Sequence, residues 1–339
     1  MAHISIVIPS HNRWYLLRRT LAGALAQERV DCEVIVVDDG SSDGTSERLA
    51  ELDEPSLRVL RHERGRGVAH ARNRGLEAAS GEWVAFLDDD DLWAPLKLRR
   101  QLDAAIERDA PFAYGGAIVV DERLDVLDVQ RAPPPERLLD DVLGWQAVPG
   151  GCSNAIVKTE LAREVNGFNP ELSMAADWDM WTRLLLAADG KAAACPELLI
   201  GYLRHPASMS VVDARVFRRE LEYIERKYAR DRQARGVEVD ALLLFRWLAG
   251  GYRRGGNRAA AARTYLSSAW RHRSVGNVVR AAGLLLGERA MRRFSPYRPE
   301  RLPKPEWLAL YGEGGRLESV PVTPTPRGDA QDGLQENRS

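Results

Sequence analysis

The chain has 339 residues, a formal net charge of −1 and 45% hydrophobic residues, so it is long enough for one large domain with a sizeable core and an appendage. Its three cysteines, Cys32, Cys152 and Cys195, lie far apart and in no zinc-binding spacing, which excludes a disulfide-stapled scaffold and favours a reducing compartment. The amino terminus has no secretion-signal pattern, and no run approaches the ~18 apolar residues of a spanning helix. We therefore expect a soluble, cytoplasmic protein.

Strand and helix patterns alternate through the first hundred residues. In chain order, apolar runs that predict strands occur in "ISIVIP", "EVIVV", "LRVLR" and "EWVAFL", and a helical pattern follows each run. The last of these helices is predicted to begin at about Pro95, because proline is well tolerated in a first turn. Strands that alternate with helices of about 10–15 residues indicate an α/β fold with a mostly parallel, doubly wound sheet.

After residue 110 the alternation loosens. "YGGAIVVDERLDVLDV" predicts a hairpin, "GGCSNAIVKTELAREV" a strand followed by a short helix, and "PELLIGYLRHP" a last strand. Asp177–Ala188 is predicted to be a helix in which Trp178 and Trp181 are spaced for a buried face. The alternative is that one of these tryptophans stacks on a bound ligand.

Three polar or acidic segments, "PSHN", "DDGSSD" and "LDDDD", end strands of this predicted sheet. Ligands of doubly wound sheets bind at the carboxyl ends of the strands, so the three segments are expected to share one crevice. Carboxylates brought together repel each other unless a cation or a donor-rich ligand lies among them. Oxygen ligands with no nearby His or Cys favour Mg²⁺ or Mn²⁺, which substrate phosphates commonly complete. A solvated acidic loop is the alternative for the aspartate run taken alone.

Six motifs, in this order, resemble those of the inverting glycosyltransferases of family 2, which have the GT-A fold: "SIVIPSHNR", "VIVVDDGSSDGT", "GRGVAHARNRGL", "WVAFLDDDDLW", "VNGFNP" and "ADWDMWTRL". The resemblance covers about residues 3–210. It implies metal-dependent transfer of a sugar, with inversion, from a nucleoside-diphosphate sugar to a glycan, lipid-linked or other hydroxyl acceptor in cell-surface glycan or polysaccharide biosynthesis. It also implies a catalytic domain at 1–212, with a nucleotide-binding half at 1–110 and an acceptor-binding half at 111–212.

The resemblance further implies which residues bind the nucleotide. In the family the second acid of the "DDGS" turn, here Asp39, accepts N–H groups of the base, which suits a carboxylate because it only accepts. Arg72 flanks the nucleotide, although a surface ion pair is the alternative for this side chain. The implied nucleotide-binding residues are Pro9, Ser10, Asn12, Asp39, Gly67, Arg72 and Asp89.

The family's "DxD" pattern assigns the aspartate run. It implies that Asp90 binds the metal ion with Asp88 as its partner, and that Asp89 lies near the ribose or the donor sugar. The ion would act as a Lewis acid and neutralise charge on the leaving nucleoside diphosphate. Asp91 is expected to be structural and to start the following helix.

The match to the family's general base is Asp177. Inversion is a single displacement, so one carboxylate must take the proton of the acceptor hydroxyl on the face opposite the leaving group. The acid that precedes the base in the family is Ala176 here. Asp179 is the alternative base, and acids attracted to a helix N-terminus are the structural alternative for both aspartates.

Two weaker candidates lie in "YLRHPASMS", which resembles the family's last motif. There a basic residue or a histidine can close over the diphosphate, so Arg204 and His205 are candidates for a phosphate or metal contact. A turn histidine before a proline is the alternative for His205.

The carboxyl-terminal part is predicted to be helical and basic. Residues 213–298 form a predicted basic helical extension of three or four amphipathic helices, broken at Gly250-Gly251, Gly255-Gly256 and Gly276. Residues 299–339 are a predicted tail, disordered from about 318 because that stretch is rich in Pro, Gly, Gln and charge.

The charge of this extension points to an anionic partner. Twelve arginines and one acid lie between residues 241 and 298. Segment 275–294 has the pattern of a helix that lies on an anionic bilayer, here the inner face of the plasma membrane, with a helix packed on the catalytic domain as the alternative. Nucleic acid is not an expected partner, because no aromatic-and-basic motif accompanies the charge. The apolar stripe consists of Val275, Val278, Val279, Ala282, Leu285 and Leu286.

Two other classes of function remain open at this stage. The first is a nucleotidyltransferase or a sugar-nucleotide-binding protein without transferase activity, against which the first strand end "PSHNRWYLL" lacks the usual glycine-rich, lysine-bearing loop. The second is an interaction module in which the helical extension does the binding. Metal-dependent hydrolysis of a sugar nucleotide would separate both from a transferase.

Overall fold

A computed structural model describes residues 3–205, 214–254, 256–286 and 302–317. The nucleotide-side half alternates strands and helices as the sequence predicts, because each strand is an apolar run closed by a polar turn. Its elements are β1 (His3–Ser10), α1 (Trp14–Leu25), β2 (Asp31–Asp38), α2 (Thr45–Ala50), β3 (Leu57–Arg61), α3 (Val68–Ala78) and β4 (Trp83–Phe86).

The second half mixes short strands with helices, and it contains the predicted hairpin as β6 and β7. Its elements are β5 (Leu92–Trp93), α4 (Lys97–Glu107), β6 (Phe112–Val120), β7 (Val126–Gln130), α5 (Leu138–Gly144), β8 (Ile156–Lys158), α6 (Thr159–Glu164), α7 (Ala176–Ala187) and β9 (Ala193–Leu203). The two-residue strand β5 carries no periodic signal and was not predicted. Because it follows Asp91 directly and α4 begins only at Lys97, the expectation that Asp91 starts a helix is wrong.

The nine strands of the described residues belong to one sheet in the order β3-β2-β1-β4-β8-β6-β9-β5, and β7 adds to β6. The first four strands are parallel, with β1 between β2 and β4. Beyond β4 the pairings are antiparallel except for the long parallel pair of β6 and β9. This mixed sheet with helices on both faces confirms the predicted α/β class.

Side chains of β1 show how the sheet divides the core. Ile4, Ile6 and Ile8 point to one face and pack with helices α1 and α4, whereas Val7 points to the other face. The second face packs against α7, whose Trp181 contacts the ring of Phe86 on β4. Both faces are covered, as a parallel sheet requires, and only the strand ends are left for ligands.

The predicted helical extension consists of five helices among the described residues. They are α8 (Ala214–Lys227), α9 (Ala229–Arg235), α10 (Ala241–Arg254), α11 (Arg258–His272) and α12 (Val275–Leu286). Two predicted breaks are wrong, because Gly250-Gly251 lies inside α10 and Gly276 lies inside α12. A glycine costs a helix roughly 1 kcal/mol, but here the small side chains let α10 and α11 pack closely through Ala249, Ala261 and Ala262.

The division into a catalytic domain and an extension at residue 212 stays a prediction, and the contacts across it are close. Glu220 of α8 accepts hydrogen bonds from the backbone N–H groups of Ser173, Met174 and Ala175 at 2.8–2.9 Å. These N–H groups precede α7, so α8 supplies the acidic partner for the N-terminus of that helix.

A short 3₁₀ helix, Glu306–Tyr311, packs on the strand that follows the aspartate run. The Tyr311 hydroxyl accepts from the backbone N–H of Trp93 at 3.1 Å and donates to its carbonyl at 2.6 Å. Trp307 Nε1 donates to the Leu198 carbonyl on β9 at 2.8 Å. The predicted disorder from about residue 318 lies outside the described residues.

Candidate active site

The four aspartates lie in the turn that follows β4, and each has a different environment. Asp89 accepts a hydrogen bond from Ser10 Oγ at the end of β1, at 2.8 Å. Arg13 Nη1 lies between the next two carboxylates, 3.2 Å from Asp89 Oδ1 and 3.3 Å from Asp90 Oδ2. The parallel pairing of β1 with β4 brings these strand ends together, as the sequence predicts.

His205 meets the same aspartate from the other side. At the end of β9, its Nε2 lies 2.9 Å from Asp90 Oδ2, and its side chain is 1% exposed. Asp90 therefore has an imidazole and a guanidinium against one oxygen. Carboxylate and imidazole both suit Mn²⁺, and carboxylate suits Mg²⁺.

Asp88 pairs with the first-half helix α3. Arg72 Nη2 contacts Asp88 Oδ1, and the guanidinium also lies 5.1 Å from the centre of the Phe168 ring. Burial acts to lower the pKa of Arg72, but the Asp88 carboxylate outweighs it and the pKa lies above its ordinary value. The expected alternative of a surface ion pair for Arg72 is wrong, since its side chain is 5% exposed.

Asp91 has the contacts of a structural residue. Its side chain is fully buried, and it accepts hydrogen bonds from Ser153 Oγ at 2.5 Å and from the Leu203 N–H at 3.1 Å. Burial and the neighbouring carboxylates raise its pKa well above the ordinary value. Asp91 therefore fixes the turn to the loop before β8 and to the end of β9.

Burial also changes the titration of Asp89. Desolvation, followed by the nearby Asp90 charge, raises the pKa of Asp89 to about 7. The guanidinium of Arg13 and the Ser10 hydroxyl act in the opposite direction. A cation placed against this pair of carboxylates would relieve the repulsion that raises the pKa.

No three His, Cys, Asp or Glu side chains within the described ranges are grouped to hold a metal ion alone. The carboxylates of Asp88 and Asp90 are nevertheless donors of the kind that Mg²⁺ or Mn²⁺ takes, and such ions usually complete their coordination with waters and substrate phosphates. The protein side of such a site needs only one or two carboxylates.

In the "DDGSSD" turn after β2, Asp39 accepts hydrogen bonds from the protein itself, whereas the sequence resemblance implies that it accepts N–H groups of the nucleotide base. Both oxygens of Asp39 already accept hydrogen bonds from the backbone N–H groups of Arg66 and Gly67 at 2.7–3.0 Å, and His62 Nδ1 lies 2.6 Å away. Asp39 is 5% exposed, and it holds the loop before α3. Gly40 is required here, because its φ is +79° and a Cβ would lie 2.7 Å from the backbone of that loop.

Asn12 joins the turn after β1 to the "DDGSSD" turn. Its φ is +54°, its N–H donates to Ser41 Oγ at 2.8 Å, and its side-chain oxygen accepts from the Ser42 N–H at 2.7 Å. Gly67 caps α3 with φ +97° and has open space where a Cβ would be. These residues shape the nucleotide-side turns, whereas Pro9 lies directly in the wall of the cavity described next.

One cavity of about 520 Å³ connects the aspartates to the second half of the molecule. Asp88, Asp89 and Asp90 line it from the turn after β4, and Asp177 lines it from the first turn of α7. The rest of the lining combines small apolar residues with larger aromatic, polar and basic side chains. They include Trp145, Gln146, Trp178, Tyr202, Phe217, Trp247, Arg131 and Arg204.

Asp177 is held at the first turn of α7 by neutral donors. Gln146 Nε2 donates to its Oδ2 at 2.9 Å and the Trp178 N–H to its Oδ1 at 2.7 Å. Burial raises its pKa above the ordinary range, against the hydrogen bond from Gln146 and the charge of Arg72. The carboxylate therefore faces the cavity with enhanced basicity.

The alternative base, Asp179, is excluded by its surroundings. Its side chain is fully buried and is paired with Arg183 at 2.8 Å and with Lys227 at 2.5 Å. The hydroxyl of Tyr228 also donates to it at 2.7 Å. Asp179 faces the core and α8, not the cavity, because residues two apart on a helix point in different directions.

Arg204 and His205 point to opposite sides, as neighbours in an extended segment do. His205 contacts Asp90, whereas Arg204 lines the cavity. Burial lowers the pKa of Arg204, Arg253 lowers it further, and Tyr202 and Asp128 act against this. No carboxylate lies within ion-pair distance of Arg204 anywhere in the described chain.

Several residues of this site were not singled out from the sequence. Arg13 could have been predicted, because it directly follows the polar segment "PSHN" at the end of β1. Ser153, Gln146 and Trp145 carry no signal, since they lie in loops that only the fold brings to the site. Trp178 and Trp181 are buried as predicted, and Trp178 also reaches the cavity wall.

The family model described as glycosyl transferase family 2 matches residues 5–165. A putative teichuronic acid biosynthesis glycosyltransferase of Bacillus subtilis, TuaG, is 32% identical over 184 residues, which cover 54% of this chain and 71% of TuaG. The chain belongs to glycosyl transferase family 2. It is therefore a transferase enzyme, and the predicted family and GT-A fold are confirmed.

Two further relatives extend the comparison. The Escherichia coli protein WfgD, named a UDP-Glc:alpha-D-GlcNAc-diphosphoundecaprenol beta-1,3-glucosyltransferase, is 27% identical over 61% of this chain and 79% of its own length. The mannosyltransferase PcManGT from Pyrobaculum calidifontis, solved in complex with GDP-Man and Mn²⁺, superposes with a TM-score of 0.52. It is 23% identical, the match covers 87% of this chain and 81% of that one, and it supports the shared fold.

Within the described ranges, no helix is both long and apolar enough to cross a bilayer.

Proposed function

We propose that this family 2 transferase moves a sugar, with inversion, from a nucleoside-diphosphate sugar to a hydroxyl acceptor in the synthesis of a cell-surface polysaccharide or glycan. The observation that carries the proposal is one cavity that is lined both by Asp88–Asp90, from the turn after β4, and by Asp177, from α7. An inverting displacement needs two separate groups of this kind, because the leaving group and the attacking hydroxyl lie on opposite faces of the anomeric carbon.

On the donor side, Asp90 and Asp88 would hold Mg²⁺ or Mn²⁺, with His205 beside Asp90. The ion would neutralise charge on the leaving nucleoside diphosphate. Arg13 and Arg72 already lie against these carboxylates, so their guanidinium groups are within reach of phosphate oxygens, which they bind well. Asp89 would contact the ribose or the donor sugar. The PcManGT complex, with GDP-Man and Mn²⁺ on the same fold, is in keeping with this arrangement.

For the nucleotide, the proposed contacts are those of the strand ends. Pro9 and Ser10 lie at the end of β1, and Asn12 and Gly67 shape the adjoining turns. Asp39 is proposed to act mainly by holding the Gly67 loop, since its oxygens are engaged by that loop. A direct contact of Asp39 with the nucleobase would use the carboxylate lone pairs that these hydrogen bonds leave free.

On the acceptor side, Asp177 is the proposed general base. It takes the proton of the acceptor hydroxyl while that oxygen bonds to the anomeric carbon and the bond from this carbon to the diphosphate oxygen breaks. Gln146 and the Trp178 N–H hold the carboxylate in place. The raised pKa makes Asp177 a better base than an ordinary carboxylate, provided that it is ionised at the working pH.

The acceptor is proposed to be anionic, such as a lipid-linked sugar diphosphate. Arg204 is half-buried in the cavity lining, and Arg253 lowers its pKa while Tyr202 and Asp128 raise it. Arg131 adds a further positive charge to the same cavity, and Trp145 and Trp247 offer apolar surface. The acceptor named for WfgD, a GlcNAc-diphosphoundecaprenol, has this combination of sugar, diphosphate and lipid.

The test is release of nucleoside diphosphate from a panel of sugar nucleotides with and without Mn²⁺. We expect slow, metal-dependent hydrolysis of one donor in the absence of acceptor, and loss of about 10²–10⁴-fold in kcat for Asp177→Asn. The anomeric proton of the product, followed by NMR, reports inversion. Binding without turnover would support a sugar-nucleotide-binding protein instead, and release of inorganic pyrophosphate from a nucleoside triphosphate would support a nucleotidyltransferase.

The site of action is proposed to be the cytoplasm, including the inner face of the plasma membrane. A lipid-linked acceptor would require contact with that membrane.

A further inference from the structure

The hairpin of α11 and α12 exposes large apolar side chains that a folded protein normally buries. Trp270 is 86% exposed, Val275 76%, Val278 48% and Val279 43%. Val275, Val278 and Val279 lie on one side of α12, because their spacing follows the helical repeat. Trp270, in the last turn of α11, and Val275, at the start of α12, flank the turn between the helices. Trp270, Val275, Val278 and Val279 are here called the hairpin face.

The opposite side of α12 is the packed one. Asn277, Ala281 and Leu284 are buried, and the last two pack with α10 and α11. Asn277 donates to Ser268 Oγ on α11 at 2.9 Å. The alternative reading of the sequence, in which the valine stripe packs on the catalytic domain, is therefore wrong for the described part of the stripe. The side chains of Leu285 and Leu286 lie outside the described residues.

The charge around the hairpin face is positive throughout. Residues 241–286 contain eight arginines and no acid. Arg271 and Arg273 are exposed and flank the turn next to Trp270. Basic residues near an anionic membrane surface each strengthen binding, and exposed tryptophan favours the interface between water and lipid.

We propose that the hairpin face docks on an anionic phospholipid bilayer, with Trp270 and the valines in the headgroup region and the arginines on the lipid phosphates. A second copy of this chain is disfavoured, because pairing two such faces would bring like charges together without acids to balance them. The proposal is independent of the catalytic assignments. Apolar burial and electrostatic attraction act together here, as in other helices that bind the membrane surface.

The experiment is vesicle flotation of the full chain, with vesicles of phosphatidylcholine alone and of phosphatidylcholine with phosphatidylglycerol. We expect binding to the anionic vesicles that falls at least tenfold in 0.5 M salt, since the electrostatic part is screened. Trp270→Ser with Val278→Ser should lower the partition coefficient at least tenfold, and Arg271→Gln with Arg273→Gln severalfold.

Matched controls separate binding through the hairpin face from nonspecific binding to vesicles. Ile106→Ser removes an apolar side chain that is 62% exposed on α4, and Arg123→Gln removes an exposed charge in the β6–β7 hairpin; both should bind vesicles like the wild type. Hydrolysis of donor in solution should be unchanged in all variants, which reports an intact fold. The proposal is overturned if the chain binds neutral and anionic vesicles equally, or if the variant with Trp270→Ser and Val278→Ser binds like the wild type. It is also overturned if light scattering shows a dimer of the wild type and a monomer of this variant.

Discussion

The charged side chains that line the cavity differ in their partners between two groups, here called the donor wall (Asp88–Asp90) and the acceptor wall (Asp177 and Arg204). On the donor wall, each aspartate has a cationic or hydroxyl partner from the chain itself, with Arg13, Arg72 and His205 against Asp88–Asp90. On the acceptor wall, Asp177 has only neutral donors, and Arg204 has no carboxylate partner within the described chain. A ligand of the donor wall must therefore replace internal partners, whereas Asp177 and Arg204 make no ion pair within the described residues that a ligand would have to break.

The largest expected effect comes from breaking the donor wall at its metal-binding position. Asp90→Asn keeps the shape and the hydrogen bond to Arg13 but removes the charge that holds the ion. We expect kcat/KM to fall about 10²–10⁴-fold, which corresponds to several kcal/mol of lost transition-state stabilisation. Steady-state rates over a Mn²⁺ titration measure this change.

The matched control is Asp103→Asn, which alters an exposed aspartate paired with Arg99 on α4 and should leave turnover unchanged. Retention of more than a tenth of the wild-type activity in Asp90→Asn, at every Mn²⁺ concentration, would remove Asp90 from the metal site.

The next prediction separates the two aspartates of α7. Asp179→Asn leaves Arg183 and Lys227 without their buried counterion, and breaking such a pair costs ~3–5 kcal/mol. Because these two cations are partly exposed, we expect a loss near ~3 kcal/mol. Urea denaturation measures the free energy of unfolding.

Asp177→Asn should behave in the opposite way, with low activity and undiminished stability. Its carboxylate has a raised pKa in the folded state, so ionised Asp177 costs stability and a neutral amide does not. Equal losses of stability in the two variants would contradict the assignment of Asp179 to the core and Asp177 to the cavity.

Sequence patterns predicted the position of the site but not the partners of its buried side chains. The strands β1–β4 and the position of the aspartate run follow from local apolar runs and polar turns, so they could be predicted. The partners could not, because they come from distant positions: Lys227 lies 48 residues beyond Asp179, and Tyr311 lies 218 residues beyond Trp93. Local patterns carry no information about which distant side chain fills a buried site.

The acceptor wall should also set the pH dependence on the acidic side. Burial holds the pKa of Asp177 above the ordinary value, and the charges that face it are Arg72, which lowers this pKa, and Asp88, which raises it. Below this pKa the base is protonated, so kcat/KM should fall tenfold for each unit of decreasing pH and level off above it. Stability should change in the opposite sense, since the folded state takes up a proton over the same window. A pH–rate profile with the metal saturating checks the limb, and Asp177→Asn should abolish it.

The smallest effect tests whether the unpaired charge of the acceptor wall meets an anion. Arg204→Gln should raise the KM of an alkyl-linked N-acetylglucosaminyl diphosphate about tenfold, because a charged hydrogen bond contributes ~1.5–3 kcal/mol, part of which solvent and Arg131 would replace. The same alkyl glycoside without phosphate should show no such change. Donor hydrolysis without acceptor should also be unaffected, because the proposal assigns Arg204 to the acceptor. A raised KM for the donor instead would move Arg204 to the diphosphate of the donor, which is the role that the sequence motif first suggested.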